Sequence, residues 1–80
     1  MRIDKFLKVS RLVKRRTVAK ELADQGRIKV NGRVVKSSYD VKVGDSIEVG
    51  YGTRQVKAKV LDIRETTKKA DASELYEIVD

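Results

Sequence analysis

Eighty residues without a cysteine or a histidine leave no thiolate or imidazole for a disulfide, a zinc site or nucleophilic catalysis. Nineteen basic side chains against 12 acidic ones give a net charge of +7, and no apolar run approaches the roughly 18 residues that a membrane span needs. One small, soluble, cytoplasmic domain is the expectation, near the lower size limit for a core that works unaided, with no cofactor and no membrane partner.

The charge is concentrated. Residues 1–20 carry eight cations (Arg2, Lys5, Lys8, Arg11, Lys14, Arg15, Arg16 and Lys20) against the single acid Asp4, while residues 21–80 carry 11 of each sign. A patch of this kind attracts a polyanion, nucleic acid first and an anionic membrane surface second. The plainer alternative is a solvated face, but solubility does not require uncompensated cations crowded into one quarter of a chain.

In chain order, Ile3, Phe6, Leu7 and Ser10 recur at helical spacing, with Lys5 and Lys8 on the opposite side. A second helix places Val18, Ala19, Leu22 and Ala23 on one face and Lys20, Glu21 and Asp24 on the other. Gly26 stands where a left-handed residue ends it. Thr17 is the candidate cap at its start, although Lys14, Arg15 and Arg16 are unfavourable company for the positive end of a helix dipole. Cations kept there suggest a gain other than helix stability.

After Gly26 the period changes to two. Ile28 and Val30, then Asn31-Gly32, then Val34 and Val35 read as a hairpin. Tyr39, Val41 and Val43 alternate before a Gly44-Asp45 turn, followed by Ile47 and Val49. Residues 50–52, Gly-Tyr-Gly, read as a loop. Val56, Ala58 and Val60 alternate with Lys57 and Lys59, as in a strand with one wet face. A polar connection leads to Leu-Tyr-Glu-Ile-Val at 75–79, which reads as a last strand pairing with 55–63, with a helical turn as the alternative. The layout is α+β: two short helices, a helix–turn–helix, on an antiparallel sheet of four to five strands.

The run from Arg2 to Val49 resembles the RNA-binding domain family first described in small-subunit ribosomal protein S-four. The resemblance is carried by Arg2-Ile3-Asp4, Leu7, the Lys14–Arg16 turn, Ala19 and Leu22, Gly26, Val30-Asn31-Gly32 and Val41 to Asp45, in order and correctly spaced. A Ser or Thr is usual in the family just before the second helix, where this chain has Lys14 and Arg15. The resemblance implies an RNA-binding domain over residues 1–49, with 50–80 as a strand extension of the same unit. It also implies an RNA-facing surface on the two helices, the turn between them and the start of the hairpin. The candidate RNA-binding residues are therefore Arg2, Lys5, Lys8, Arg11, Lys14, Arg15, Arg16, Lys20 and Lys29. Arginines suit bidentate phosphate contacts and base stacking, and lysines serve as mobile point charges. Asp4 is expected to be structural, as a partner for a nearby arginine or for the helix dipole. Arg2 either touches RNA or pairs with Asp4 or Glu21. Tyr39 reads as packing, and Tyr51 is open to base stacking.

Stand-alone members of that family form two classes similar to this chain: the heat-shock protein fifteen class, with a longer basic tail, and a shorter class acting in ribosome-associated quality control, whose ending resembles residues 68–80. Membership of the second implies a non-enzymatic, monomeric factor. Its partners would be large-subunit ribosomal RNA and the peptidyl-tRNA left on a stalled, split ribosome, beside a nascent-chain tailing factor that adds alanine without a message. Large-subunit recycling of the heat-shock protein fifteen kind, a constitutive ribosomal protein and a DNA-binding helix–turn–helix are the alternatives.

Overall fold

The structure, a computed structural model, describes residues 1–79. Helix α1 spans Ile3–Val9 and α2 spans Arg16–Asp24. Strands β1 (Ile28–Val30), β2 (Arg33–Val34), β3 (Ser46–Tyr51), β4 (Arg54–Val60) and β5 (Tyr76–Ile78) form one antiparallel sheet in the order β2-β1-β3-β4-β5. A 3₁₀ helix, Lys69–Leu75, precedes β5 and is a third helix beyond the two expected. The α+β layout and the final strand agree with the sequence reading.

Helix α2 ends as its glycine requires. Gly26 has φ +73°, its N–H donates to the Ala23 carbonyl (3.0 Å), and Arg27 N–H donates to that of Leu22 (2.9 Å). That pair of bonds is the Schellman closure, which satisfies carbonyls the helix itself leaves open. At the other end the expected cap is absent. Arg15, not Thr17, occupies the cap position in extended conformation, with no side-chain cap bond and no acid in the first turn. Thr17 lies inside the helix, too late in the chain to reach the first free N–H groups.

Asn31 (φ +52°) and Gly32 (φ +84°) both adopt the left-handed conformation, as a two-residue hairpin turn demands, and the register Val30↔Arg33 follows from it. Residues 39–43, in contrast, form no strand beyond a single bridge between Arg2 and Asp40, and Val43 is exposed. Their neighbourhood serves α1 instead. The carbonyls of Tyr39 and Ser37 accept the N–H groups of Ile3 (2.8 Å) and Asp4 (3.2 Å), and Val41 N–H donates to the Met1 carbonyl (2.9 Å). Backbone groups that would extend the sheet are thus used to cap a helix that lacks a capping side chain. The loop expected at 50–52 is shorter than it reads, because β3 continues through Tyr51 and pairs it with Arg54.

The core lies between the helices and one face of the sheet. Ile3, Phe6 and Leu7 of α1, Ala19 and Ala23 of α2, Val13 of the turn, and Ile28, Val30, Ile47, Val49 and Val60 of the sheet are all buried, with Leu75 of the 3₁₀ helix closing one end. Strand alternation sends Lys29, Glu48, Lys57 and Lys59 to the other face.

Candidate nucleic-acid interface

Asp4 organises the first group of cations. Its side chain is almost fully buried, and its Oδ1 accepts the Lys5 N–H (2.7 Å). Arg2 grips both carboxylate oxygens, from Nε (3.3 Å) and Nη2 (3.2 Å), and Arg16 reaches Oδ1 through Nη2 at 3.3 Å. Half of each guanidinium side chain stays exposed. A buried carboxylate is tolerable only when paired and hydrogen-bonded, and here two arginines, one just before α1 and one at the start of α2, share it. The pair keeps one net positive charge and free N–H groups. Together with Thr17 and Lys20 these residues line a cavity of about 280 Å³. Arg16 and Lys20 lie one turn apart on α2, so both present to the same side.

The second group gathers where α1 ends. Arg11 follows the last turn of α1 in left-handed conformation, φ +62°. For a residue with a side chain this costs about 1–2 kcal/mol relative to ordinary backbone. Its surroundings impose it. Arg11 N–H donates to the Lys8 carbonyl (3.1 Å), Val13 N–H to that of Leu7 (3.1 Å), and the Val13 side chain is buried. The Tyr51 hydroxyl donates to the Leu12 carbonyl at 2.6 Å, fixing the turn to the end of β3. Burial raises the Tyr51 phenol above its ordinary value of 10.0. Lys8 and Arg11 line a cleft of about 200 Å³ with Val9, Thr66 and Thr67. Lys14 and Arg15, exposed in the turn, continue the basic surface to α2.

Two of the nine expected residues stand apart. Lys5 is half-buried and paired with Glu65 of the polar connection, which holds the Glu65 carboxyl below its usual range, through the hydrogen bond first and the charge second. Lys29 lies on the sheet face turned away from the helices, opposite Glu48 in the ladder. Among the described residues Lys8, Arg11, Lys14, Arg15 and Lys20 have no ion-pair partner. Sequence reasoning missed Glu65, Thr66 and Thr67, whose place against α1 has no local signal. Tyr51 is an anchor for the turn, and its hydroxyl is engaged there.

Comparison with known proteins gives concordant results. Residues 1–47 match the S4 domain. A Streptococcus pneumoniae protein named RQC P-site tRNA stabilizing factor is 58% identical over 79 residues, covering 99% of this chain and 90% of its own. A Bacillus subtilis protein of the same name is 56% identical, covering 99% and 92%. The trimeric structure of Vibrio cholerae Heat Shock Protein 15 superposes with a TM-score of 0.91 at 26% identity, over 99% of this chain and 81% of that one.

Proposed function

The chain belongs to the S4 domain family, and on that footing we propose that it is an RNA-binding factor of ribosome-associated quality control that steadies the tRNA in the P site of the large ribosomal subunit. The observation that carries this is the 58% identity, sustained over 99% of the chain, to a protein named for that role. The basic surface supplies the physics. Residues 1–49 dock ribosomal RNA of the 23S type through Arg2, Arg16 and Lys20 and through Lys8, Arg11, Lys14 and Arg15. The remainder of the chain extends the same unit, with β4 and β5 completing the sheet. The peptidyl-tRNA lies alongside, on a subunit split from a stalled ribosome, while a separate factor extends the nascent chain with alanine. The protein acts as a monomeric clamp in the cytoplasm. Binding energy biases where the tRNA rests, and the protein breaks no bond.

Lys5 and Lys29 contribute less than their charge suggests, the first through its pairing with Glu65 and the second through its place on the far face of the sheet. If the five unpaired cations each neutralise one phosphate, affinity falls with salt at a log–log slope of roughly −3.5 to −4.5.

The fold likeness to Heat Shock Protein 15 supports a second reading, a large-subunit recycling factor. Affinity purification of the tagged protein separates the two. Large subunits carrying peptidyl-tRNA are the expected companions, empty large subunits would favour recycling, and intact ribosomes alone would refute both.

A further inference from the structure

The geometry points to a discrete phosphate subsite between the end of α1 and the connection 64–68, in which Lys8 and Arg11 supply charge, Thr66 supplies a hydroxyl donor, and the occupant is a backbone phosphodiester of the bound RNA. The inference rests on the RNA-binding reading above and deepens it, since it brings into the interface a segment beyond the residues that match the S4 domain.

Three observations converge on the cleft. The connection is fixed there: the Thr67 hydroxyl donates to the Val9 carbonyl at 2.8 Å, which closes the last turn of α1 and holds the neighbouring Thr66 at the cleft wall. Glu65, the acid beside them, is engaged by Lys5, so its charge is offset before it can cancel the cations of the cleft. Arg11 occupies a backbone position that a glycine would hold without strain. A solvated face gains nothing from an arginine there, whereas a site that must aim a guanidinium does. The donor set is that of an oxyanion site: a planar fork for bidentate contact, an ammonium point charge and a neutral hydroxyl, with no carboxylate among the lining residues.

The test compares Thr66→Glu, which places a carboxylate against Lys8 and Arg11, with Gln55→Glu, which adds the same charge on the sheet face away from the helices. Two readouts are taken on the full chain, with amide spectra confirming the fold of each variant. In the first, inorganic phosphate is titrated while backbone amide shifts are followed. Saturable shifts at Arg11, Thr66 and Thr67 are expected in the parent and in Gln55→Glu, and their loss in Thr66→Glu. No saturable shift at those amides, or the same shifts in Thr66→Glu, overturns the subsite. In the second, affinity for purified large ribosomal subunits is measured against salt. Thr66→Glu is expected to bind about tenfold more weakly with a log–log slope shallower by about one, against about twofold or less for Gln55→Glu. Equal losses in the two variants would leave only a long-range field, or a site for free phosphate that RNA does not use, and either sinks the proposal. If the parent itself ignores large subunits while the phosphate shifts persist, the ribosomal reading fails and takes the RNA occupant with it, whereas a parent that binds subunits with no selective loss in Thr66→Glu fails the subsite alone.

Discussion

Arg16 Nη2 lies 3.3 Å from the buried Asp4 carboxylate, which Arg2 also grips, so one acid fixes the positions of two candidate RNA-binding arginines, one just before α1 and one at the start of α2. Asp4 is thereby a positioning residue, and Asp4→Asn separates geometry from charge. The substitution adds one positive charge to a net +7. If charge alone governed binding, RNA would bind more tightly. Loss of the charge-assisted contacts instead frees both guanidinium groups, and affinity for large subunits should fall about five- to tenfold, with about 1–3 kcal/mol of stability lost. Salt-dependent binding assays on the folded variant decide the matter. Unchanged or tighter binding would show that Asp4 aims nothing.

Arg11 should show stability and binding moving in opposite directions. Arg11→Gly relieves a left-handed backbone, φ +62°, and should stabilise the fold by about 0.5–1 kcal/mol after the extra freedom of glycine in the unfolded chain is subtracted. The same change removes a guanidinium from the cleft and should weaken subunit binding by about 1–3 kcal/mol. Thermal melts and binding isotherms on one preparation test both signs. A destabilised variant would mean that the strain assigned to Arg11 is absent.

The features legible in the sequence are those whose causes lie within a few residues. Asn31-Gly32 must take left-handed dihedrals and does, Gly26 closes α2, and the change of period after it separates helices from sheet. Features set by partners far along the chain were not legible. The alternation of Tyr39, Val41 and Val43 has the pattern of a strand, but nearby carbonyls cap α1, and no local pattern reveals that Ile3 and Asp4 need them. Lys5 and Lys8 look equivalent on one helix face. The fold gives Glu65 to the first and threonines to the second. Local pattern located the cations, and long-range packing decided which of them stay unpaired.

Tyr51 ties the basic turn to the sheet through one hydrogen bond to the Leu12 carbonyl. Tyr51→Phe should cost about 0.5–1.5 kcal/mol, since the ring still packs and a partly buried carbonyl loses its donor. Burial raises the folded-state pKa of this phenol above its ordinary 10.0. Its stabilisation is therefore complete below about pH 10 and is lost as pH rises through the higher folded value. Tyrosinate absorbance should show one phenol ionising late, at a pH where unfolding begins, and Tyr51→Phe should remove that step. A titration curve unchanged by the substitution would count against the anchor.

Lys5 and Glu65 supply the last prediction. Lys5 holds the Glu65 carboxyl below its usual range, so the link contributes above the ordinary glutamate pKa and fades as pH falls through the depressed one. Both ends reach solvent, and an exposed pair of this kind contributes little to stability. Glu65→Gln should therefore shift Tm by no more than about 3 °C. Its effect on binding should be larger. With its partner neutralised, Lys5 becomes available to a phosphate, so affinity for large subunits should rise about two- to fivefold and the log–log salt slope should steepen by up to about one. The same gain should appear in the parent as pH is lowered through the depressed Glu65 value and be missing in the variant. Weaker binding by Glu65→Gln would instead assign Glu65 the task of holding the connection against α1, and Lys5 would then have no part in RNA binding.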